Sequence, residues 1–257
     1  MKNKVILVLL FILFSISAFP QDFNKAKMDS LFTALAEKNK AMGTVAISKN
    51  GQLLYSNSIG YAVVDSIEKI PATAKTKYRI GSITKMFTAV IIFQLIEEKK
   101  ISLDDKLDKY FPALPNAAKI SIGNLLNHHS GLHNFTDDSL FFSYNQKTKT
   151  QKEMLDIIAA SAVDFEPGTK GEYSNTNFVL LGYIAENITK KTYSQLVKKR
   201  IAFKLNLTDT YVGSKTESKN NESPSMNFVR SAGVETIEPA PAGTLMSVSA
   251  SCFQRPI

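Results

Sequence analysis

The sequence predicts an α/β fold with a helical lobe inserted in it, and three observations carry that prediction. Residues Met42–Ser48 and Gln52–Ser58 read as two strands joined by Lys49-Asn50-Gly51, and Asn-Gly is a strong signal for a tight hairpin turn. Ile83 to Glu98 is a long run rich in Val, Ile, Phe and Leu, the texture of a buried helix. Between residues 101 and 205 several helical patterns follow one another, and no strand pattern of comparable strength interrupts them.

Taken in order, the chain opens on the basic Met1-Lys2-Asn3-Lys4, an apolar run Val5–Phe14, and a smaller, more polar Ser15–Gln21. That pattern is a secretory signal peptide over residues 1–21, too short for a comfortable membrane span. An uncleaved N-terminal anchor is the competing reading, because Phe19-Pro20-Gln21 is not a clean cleavage site. The expected location is periplasmic or secreted, with no stable membrane insertion once the signal is removed. Residues 22–257 then form the working domain, with an α/β part over 22–100 and a helical lobe over 101–230.

Asp22–Lys40 carries Phe23, Met28, Leu31, Phe32 and Leu35 at helical spacing. Ile59–Val64 could extend the second hairpin strand. Leu103–Pro112 reads as a short helix and a proline-ended loop, and Ile120–His128, Gln151–Ala160, Asn175–Ile188 and Tyr193–Phe203 as further helices. Ser214–Ser225 is polar and expected to be an exposed loop. The formal charge of +8 comes from dispersed lysines, with no stripe of arginine interleaved with aromatics, which excludes a nucleic-acid partner. A single cysteine, Cys252, excludes an intrachain disulfide.

Three stretches could carry chemistry. In Tyr78–Ala89, Ser82 stands at the start of the apolar helix, where free backbone N–H groups and the helix dipole favour developing negative charge. Lys85 lies one turn on, on the same face, where its amine could accept the serine proton. Against this stands a plain reading: Ser82 caps the helix and Lys85 is a surface lysine. A second Ser-x-x-Lys, Ser66-Ile67-Glu68-Lys69, shows how little the spacing proves alone. The second stretch, Leu125–Leu132, holds His128 and His129, with His133 just beyond. No His-Glu-x-x-His pattern exists, and no carboxylate or cysteine visibly completes a site, so no metal is expected. Gly131 would cap the preceding helix. The third stretch is Glu166–Asn177, a Pro-Gly turn leading into a helix start. There Tyr173 could move protons near Lys85 and Asn175 could bind substrate, or Ser174 or Asn175 could simply cap the helix. Tyr55-Ser56-Asn57 repeats the same tripeptide in a hairpin strand.

In order, Gly81-Ser82-Ile83-Thr84-Lys85, Leu125-Leu126-Asn127-His128-His129-Ser130-Gly131-Leu132, and Pro167-Gly168 with Tyr173-Ser174-Asn175 resemble the serine β-lactamase-related family. That family embraces class C β-lactamases, D-Ala-D-Ala carboxypeptidases of the penicillin-binding-protein type, and related esterases. The resemblance runs over about residues 24 to 250. It implies an antiparallel sheet with flanking helices plus an all-helical lobe, with the site between them. It also implies Ser82 as the acylated nucleophile, Lys85 as its proton acceptor, Tyr173 as the catalytic tyrosine and Asn175 as the contact to the substrate amide. His128 would be structural. No metal or organic cofactor is implied. The substrate would be an ester, a D-amino-acid peptide or a β-lactam, a small molecule or a piece derived from peptidoglycan.

The family also carries Lys-Thr-Gly or His-x-Gly downstream of the tyrosine, and neither follows Asn175 in this sequence. Ala240–Ser247 resembles the family's Gly-rich stretch, yet Ser249–Ile257 does not continue as the family does. The expectation is therefore an N-terminal part of a family member lacking its C-terminal strands. The loss of one oxyanion donor would cost ~10²–10³ in rate. The rival expectation is an impaired or inactive cell-envelope binding protein, or a gene fragment, that keeps the fold.

Overall fold

The computed structural model describes residues 23–64, 68–144, 148–213, 216–224, 226–231, 234–239 and 252–254. The expected signal peptide, Ser66 of the second Ser-x-x-Lys, and the Gly-rich stretch 240–247 lie outside the described residues.

Helix α1 (Lys25–Glu37) starts at Asn24, whose side chain accepts from the Lys27 N–H at 2.9 Å. Strands β1 (Gly43–Lys49) and β2 (Gln52–Ile59) pair antiparallel, with Lys49 opposite Gln52. Asn50 (φ 52) and Gly51 (φ 77) both take the left-handed conformation that a two-residue hairpin turn requires. The buried Tyr55 of β2 receives Phe23 and Phe32 against its ring and donates to Asp29 of α1 at 2.8 Å. Its neighbour Asn57 donates to the same phenol oxygen, so the second Tyr-Ser-Asn tripeptide ties sheet to helix.

The expected extension of β2 through Val64 is corrected. Gly60 (φ 67) turns the chain, and a Cβ there would lie 2.6 Å from Met42 Cγ. Beyond it β3 (Tyr61–Val64) pairs instead with β4 (Lys69–Pro71). Among the described residues β1 and β2 pair only with each other.

After β5 (Tyr78–Arg79) and a 3₁₀ turn over Gly81–Ile83 comes α2 (Thr84–Glu97). Phe87, Thr88, Ile91, Ile92 and Leu95 recur at three- and four-residue steps and are buried. The opposite face is apolar too, yet Ile83 (54% exposed), Met86 (63%), Val90 (44%) and Phe93 (50%) stand in solvent. The buried side of α2 rests on α6 (Asn175–Thr189), in which every residue from Thr176 to Ala185 is buried. Val179, Leu180, Leu181 and Ile184 are wholly out of water, each contributing about 2 kcal/mol. The Thr88 and Tyr193 hydroxyls meet at 2.7 Å inside this core.

The surrounding helices follow the sequence closely, with informative exceptions. Helix α3 (Ile122–Leu126) opens on a reciprocal Ser121–Asn124 capping box but ends early. His128 (φ 62), not Gly131, supplies the left-handed residue after it. The Leu103–Pro112 stretch forms only a 3₁₀ turn, Leu107–Lys109. A short α4 (Phe141–Tyr144) precedes α5 (Gln151–Ala160), which starts on a Thr150–Glu153 capping box. Helix α7 (Tyr193–Val197) continues as a π-helical turn, Lys198–Ala202.

From 203 to 230, where the helical lobe was expected to continue, strands appear: β6 (Tyr211–Val212) and β7 (Met226–Ser231). β7 pairs with β8 (Val234–Pro239), and β9 (Cys252–Gln254) lies between β5 and β6. The polar 214–225 stretch is not wholly exposed either. Glu222 is buried, accepting from the Tyr211 hydroxyl and from the Glu217 N–H, while Ser223 is buried and donates to the Ala62 carbonyl at 2.7 Å. No helix among the described residues is long and apolar enough to cross a membrane.

Candidate active site

Ser82 sits in the 3₁₀ turn just ahead of α2, exposed at the helix start. It does not cap the helix: Ile83 holds the cap position, and no side chain there bonds the backbone. The Ser82 hydroxyl is instead 2.9 Å from the Tyr173 hydroxyl and accepts from Lys85 Nζ at 3.2 Å. Lys85 is no free surface lysine, since Nζ also donates to Asn175 Oδ1 at 2.7 Å and lies 5.0 Å from the centre of the Tyr173 ring. The four residues singled out from sequence thus form one connected cluster.

Tyr173 reaches Ser82 because two loops are laced together. Glu172 N–H donates to the His128 carbonyl, Gly168 N–H to the His129 carbonyl, and Asp164 N–H to the Gly131 carbonyl. The His128 ring lies 4.7 Å from the Tyr173 ring and 5.2 Å from Phe178. Its Nδ1 accepts from the Ser174 N–H and faces the Asn177 amide, each at 3.2 Å. Asn177 is turned that way because its Oδ1 accepts from Ser130 at 2.6 Å. Burial, with the nearby Lys85 and His129 charges, holds the His128 pKa below its ordinary value, so the ring is neutral packing. Burial raises the Tyr173 pKa, but hydrogen bonds from Lys85 and Ser82 and the Lys85 charge outweigh it, and the phenol lies below its ordinary value. Ser174 starts α6 without a side-chain cap; its hydroxyl points at the His133 carbonyl.

His133 departs from expectation, for it does have carboxylates. Asp164 Oδ1 lies 2.9 Å from Nδ1 and Asp138 Oδ1 3.2 Å from Nε2. They sit on opposite edges of the ring, a double ion pair and not a shared ligand set. Among the described residues no three His, Cys, Asp or Glu side chains gather as a metal site. The Asp164 hydrogen bond raises the His133 pKa, burial opposes it, and the two carboxylate charges add to the rise. A raised histidine stabilises the fold fully below its unfolded value, and that contribution fades as pH climbs through the folded value. The stability gap between wild type and His133→Gln is therefore expected to be widest near about pH 5 to 6 and to close toward alkaline pH. Thermal midpoints of both proteins across pH would check this, and a gap that widens with pH would contradict it.

Sequence reasoning missed Asn134 and Thr136. Asn134 is buried, and its Oδ1 accepts from both the backbone N–H (2.9 Å) and the side-chain Nδ2 (3.3 Å) of Asn175. Thr136 Oγ1 accepts from the same Nδ2 at 3.0 Å. The only sequence signal was a pair of polar residues either side of the buried Phe135.

The profile of the family described as Beta-lactamase matches residues 28–250. The chain belongs to the β-lactamase family. Within that β-lactamase family it is 32% identical over 194 residues to penicillin-binding protein 4* of Bacillus subtilis strain 168, covering 74% of this chain and 42% of that protein. The chain thus spans about two fifths of that curated relative's length. The D-amino acid amidase of Ochrobactrum anthropi SV3, solved with L-phenylalanine, superposes with a TM-score of 0.73 at 27% identity, over 89% of this chain and 68% of that one. A D-stereospecific amidohydrolase from Streptomyces sp. gives 0.70 at 27% identity, over 90% and 69%. The fold is that of β-lactamases and transpeptidases.

Proposed function

We propose that this β-lactamase-family chain is a serine hydrolase working through an acyl-enzyme. The observation that carries the reading is the Ser82 hydroxyl lying 2.9 Å from the Tyr173 hydroxyl and 3.2 Å from Lys85 Nζ. Ser82 Oγ attacks a carbonyl carbon, and its proton passes to Lys85 or Tyr173. The same pair returns a proton to the departing amine or alcohol. Water then attacks the Ser82 ester, releasing the acid and restoring the hydroxyl. The substrate class we favour is a D-amino-acid amide, peptide or ester, with β-lactams as the alternative. Its support is likeness to an amidase and an amidohydrolase whose names specify that stereochemistry. The basic and apolar leader over residues 1–21 supports action in the periplasm or outside the cell, on peptidoglycan-derived material.

Intact-mass analysis after incubation with D-phenylalanine p-nitroanilide and with a penicillin tests the reading. One added acyl group mapping to Ser82 is expected, with release of product over time. An adduct that never turns over would favour an envelope binding protein, and no adduct on the folded chain would remove the reading.

Tyr173→Phe keeps the ring against His128 and deletes only the hydroxyl. Acylation is expected to slow by ~10²–10⁴, with the thermal midpoint nearly unchanged. Unaltered acylation across pH would make Tyr173 structural.

A further inference from the structure

The Asn175 carboxamide has two orientations that differ only by exchanging its oxygen and nitrogen, and such choices follow from neighbours. Here the neighbours are decisive. Asn134 Oδ1 accepts from the backbone N–H of Asn175, which can only donate, so the Asn134 atom in that position is an oxygen. The Asn175 atom facing the same oxygen must then be Nδ2. Thr136 Oγ1 takes the second Nδ2 hydrogen. Asn175 Oδ1 is thereby left pointing at Lys85 Nζ, 2.7 Å away. The reversed amide would set an N–H₂ against the lysine amine, donor against donor, and two oxygens against each other at Asn134.

We propose that Asn134 and Thr136 are positioning residues: they fix which way the Asn175 carboxamide faces, and through it aim the Lys85 amine at Ser82 and Tyr173. This rests on the acyl-enzyme reading above. With one N–H held by Asn175 Oδ1, the Lys85 amine is kept within reach of the Ser82 hydroxyl, to which it donates at 3.2 Å. The clamp also gives Asn175 a first duty different from touching substrate. Both its amide hydrogens are engaged, so a contact to a substrate amide would require one to be released on binding.

The test compares Thr136→Val, which removes the acceptor at constant shape, with Thr136→Ser, which restores it, and Asn134→Ala. Two readouts are followed on the full chain. In acylation kinetics with D-phenylalanine p-nitroanilide, Thr136→Val is expected to slow acylation by about tenfold and Asn134→Ala by about a hundredfold, with substrate binding little changed. Thr136→Ser should recover the wild-type rate. In ultraviolet difference titration against Tyr173→Phe, the Tyr173 phenol should titrate at higher pH in Thr136→Val, because Lys85 no longer holds its place beside it. Wild-type rates and an unmoved phenol in folded Thr136→Val and Asn134→Ala would overturn the proposal, and so would a loss that serine does not rescue. If the wild-type chain is never acylated, the hydrolase reading fails while the phenol titration still decides the clamp.

Discussion

Ser82→Ala is expected to yield a folded chain that no acylating reagent modifies at the candidate site. The Ser82 hydroxyl makes its bonds to Tyr173 and Lys85 and none to the backbone of α2. Removing it therefore leaves the helix start intact, and the stability change should stay below about 1 kcal/mol. The chemical loss is of another order, because Lys85 and Tyr173 then activate an atom that is not there. Removing a nucleophile that acts as a unit with its base typically costs ~10⁶ in turnover. Peptide mapping after exposure to a penicillin or a D-amino-acid ester, beside a urea unfolding curve, would separate the two effects. Labelling of Ser82→Ala at the wild-type rate would show that another side chain is the nucleophile.

The largest expected loss of stability belongs to Gly131→Ala. Gly131 has φ 72, and a Cβ there would lie 1.9 Å from the Phe165 carbonyl oxygen and 2.9 Å from its carbon. Both are backbone atoms, so no side chain can swing aside. The same crossing carries the Asp164 N–H to Gly131 carbonyl bond and the Leu132–Val163 bridge, which help hold the Tyr173 loop in place. A loss of about 3 to 5 kcal/mol is expected. Gly51→Ala is the internal control: its φ is 77, but nothing lies within 4 Å of the added carbon. That variant should lose only about 1–2 kcal/mol, the backbone cost alone. Equal urea midpoints for the two variants would show that the close approach at Phe165 carries no weight.

What the sequence made legible was local. Asn50-Gly51 announced the hairpin, and the apolar run after Ser82 announced α2. The polar and small residues around Tyr173 marked the start of α6. Each of these signals lies within a few residues of the structure it specifies. What stayed hidden depends on partners far along the chain. Gly131 looked like a helix cap because glycine is the usual residue there, whereas its real constraint is the Phe165 carbonyl, 34 positions on. His133 seemed to lack carboxylates because Asp164 arrives from another loop. Glu222 seemed to belong to an exposed loop because nothing nearby in sequence shows Tyr211 turning onto it. Asn134 and Thr136 carry no motif at all, and their importance comes from the amide they face.

The uncovered ridge on α2 has a practical consequence for anyone assaying this protein. Ile83, Met86, Val90 and Phe93 begin next to Ser82 and run along the helix as an oily track in contact with water. Such surface takes up greasy molecules without any chemistry occurring. Fluorescent probes with long alkyl or polyaromatic tags would settle there and give a signal beside the candidate nucleophile even in Ser82→Ala. Small polar reagents, read after a denaturing wash, distinguish a bond to oxygen from a molecule merely resting on the ridge.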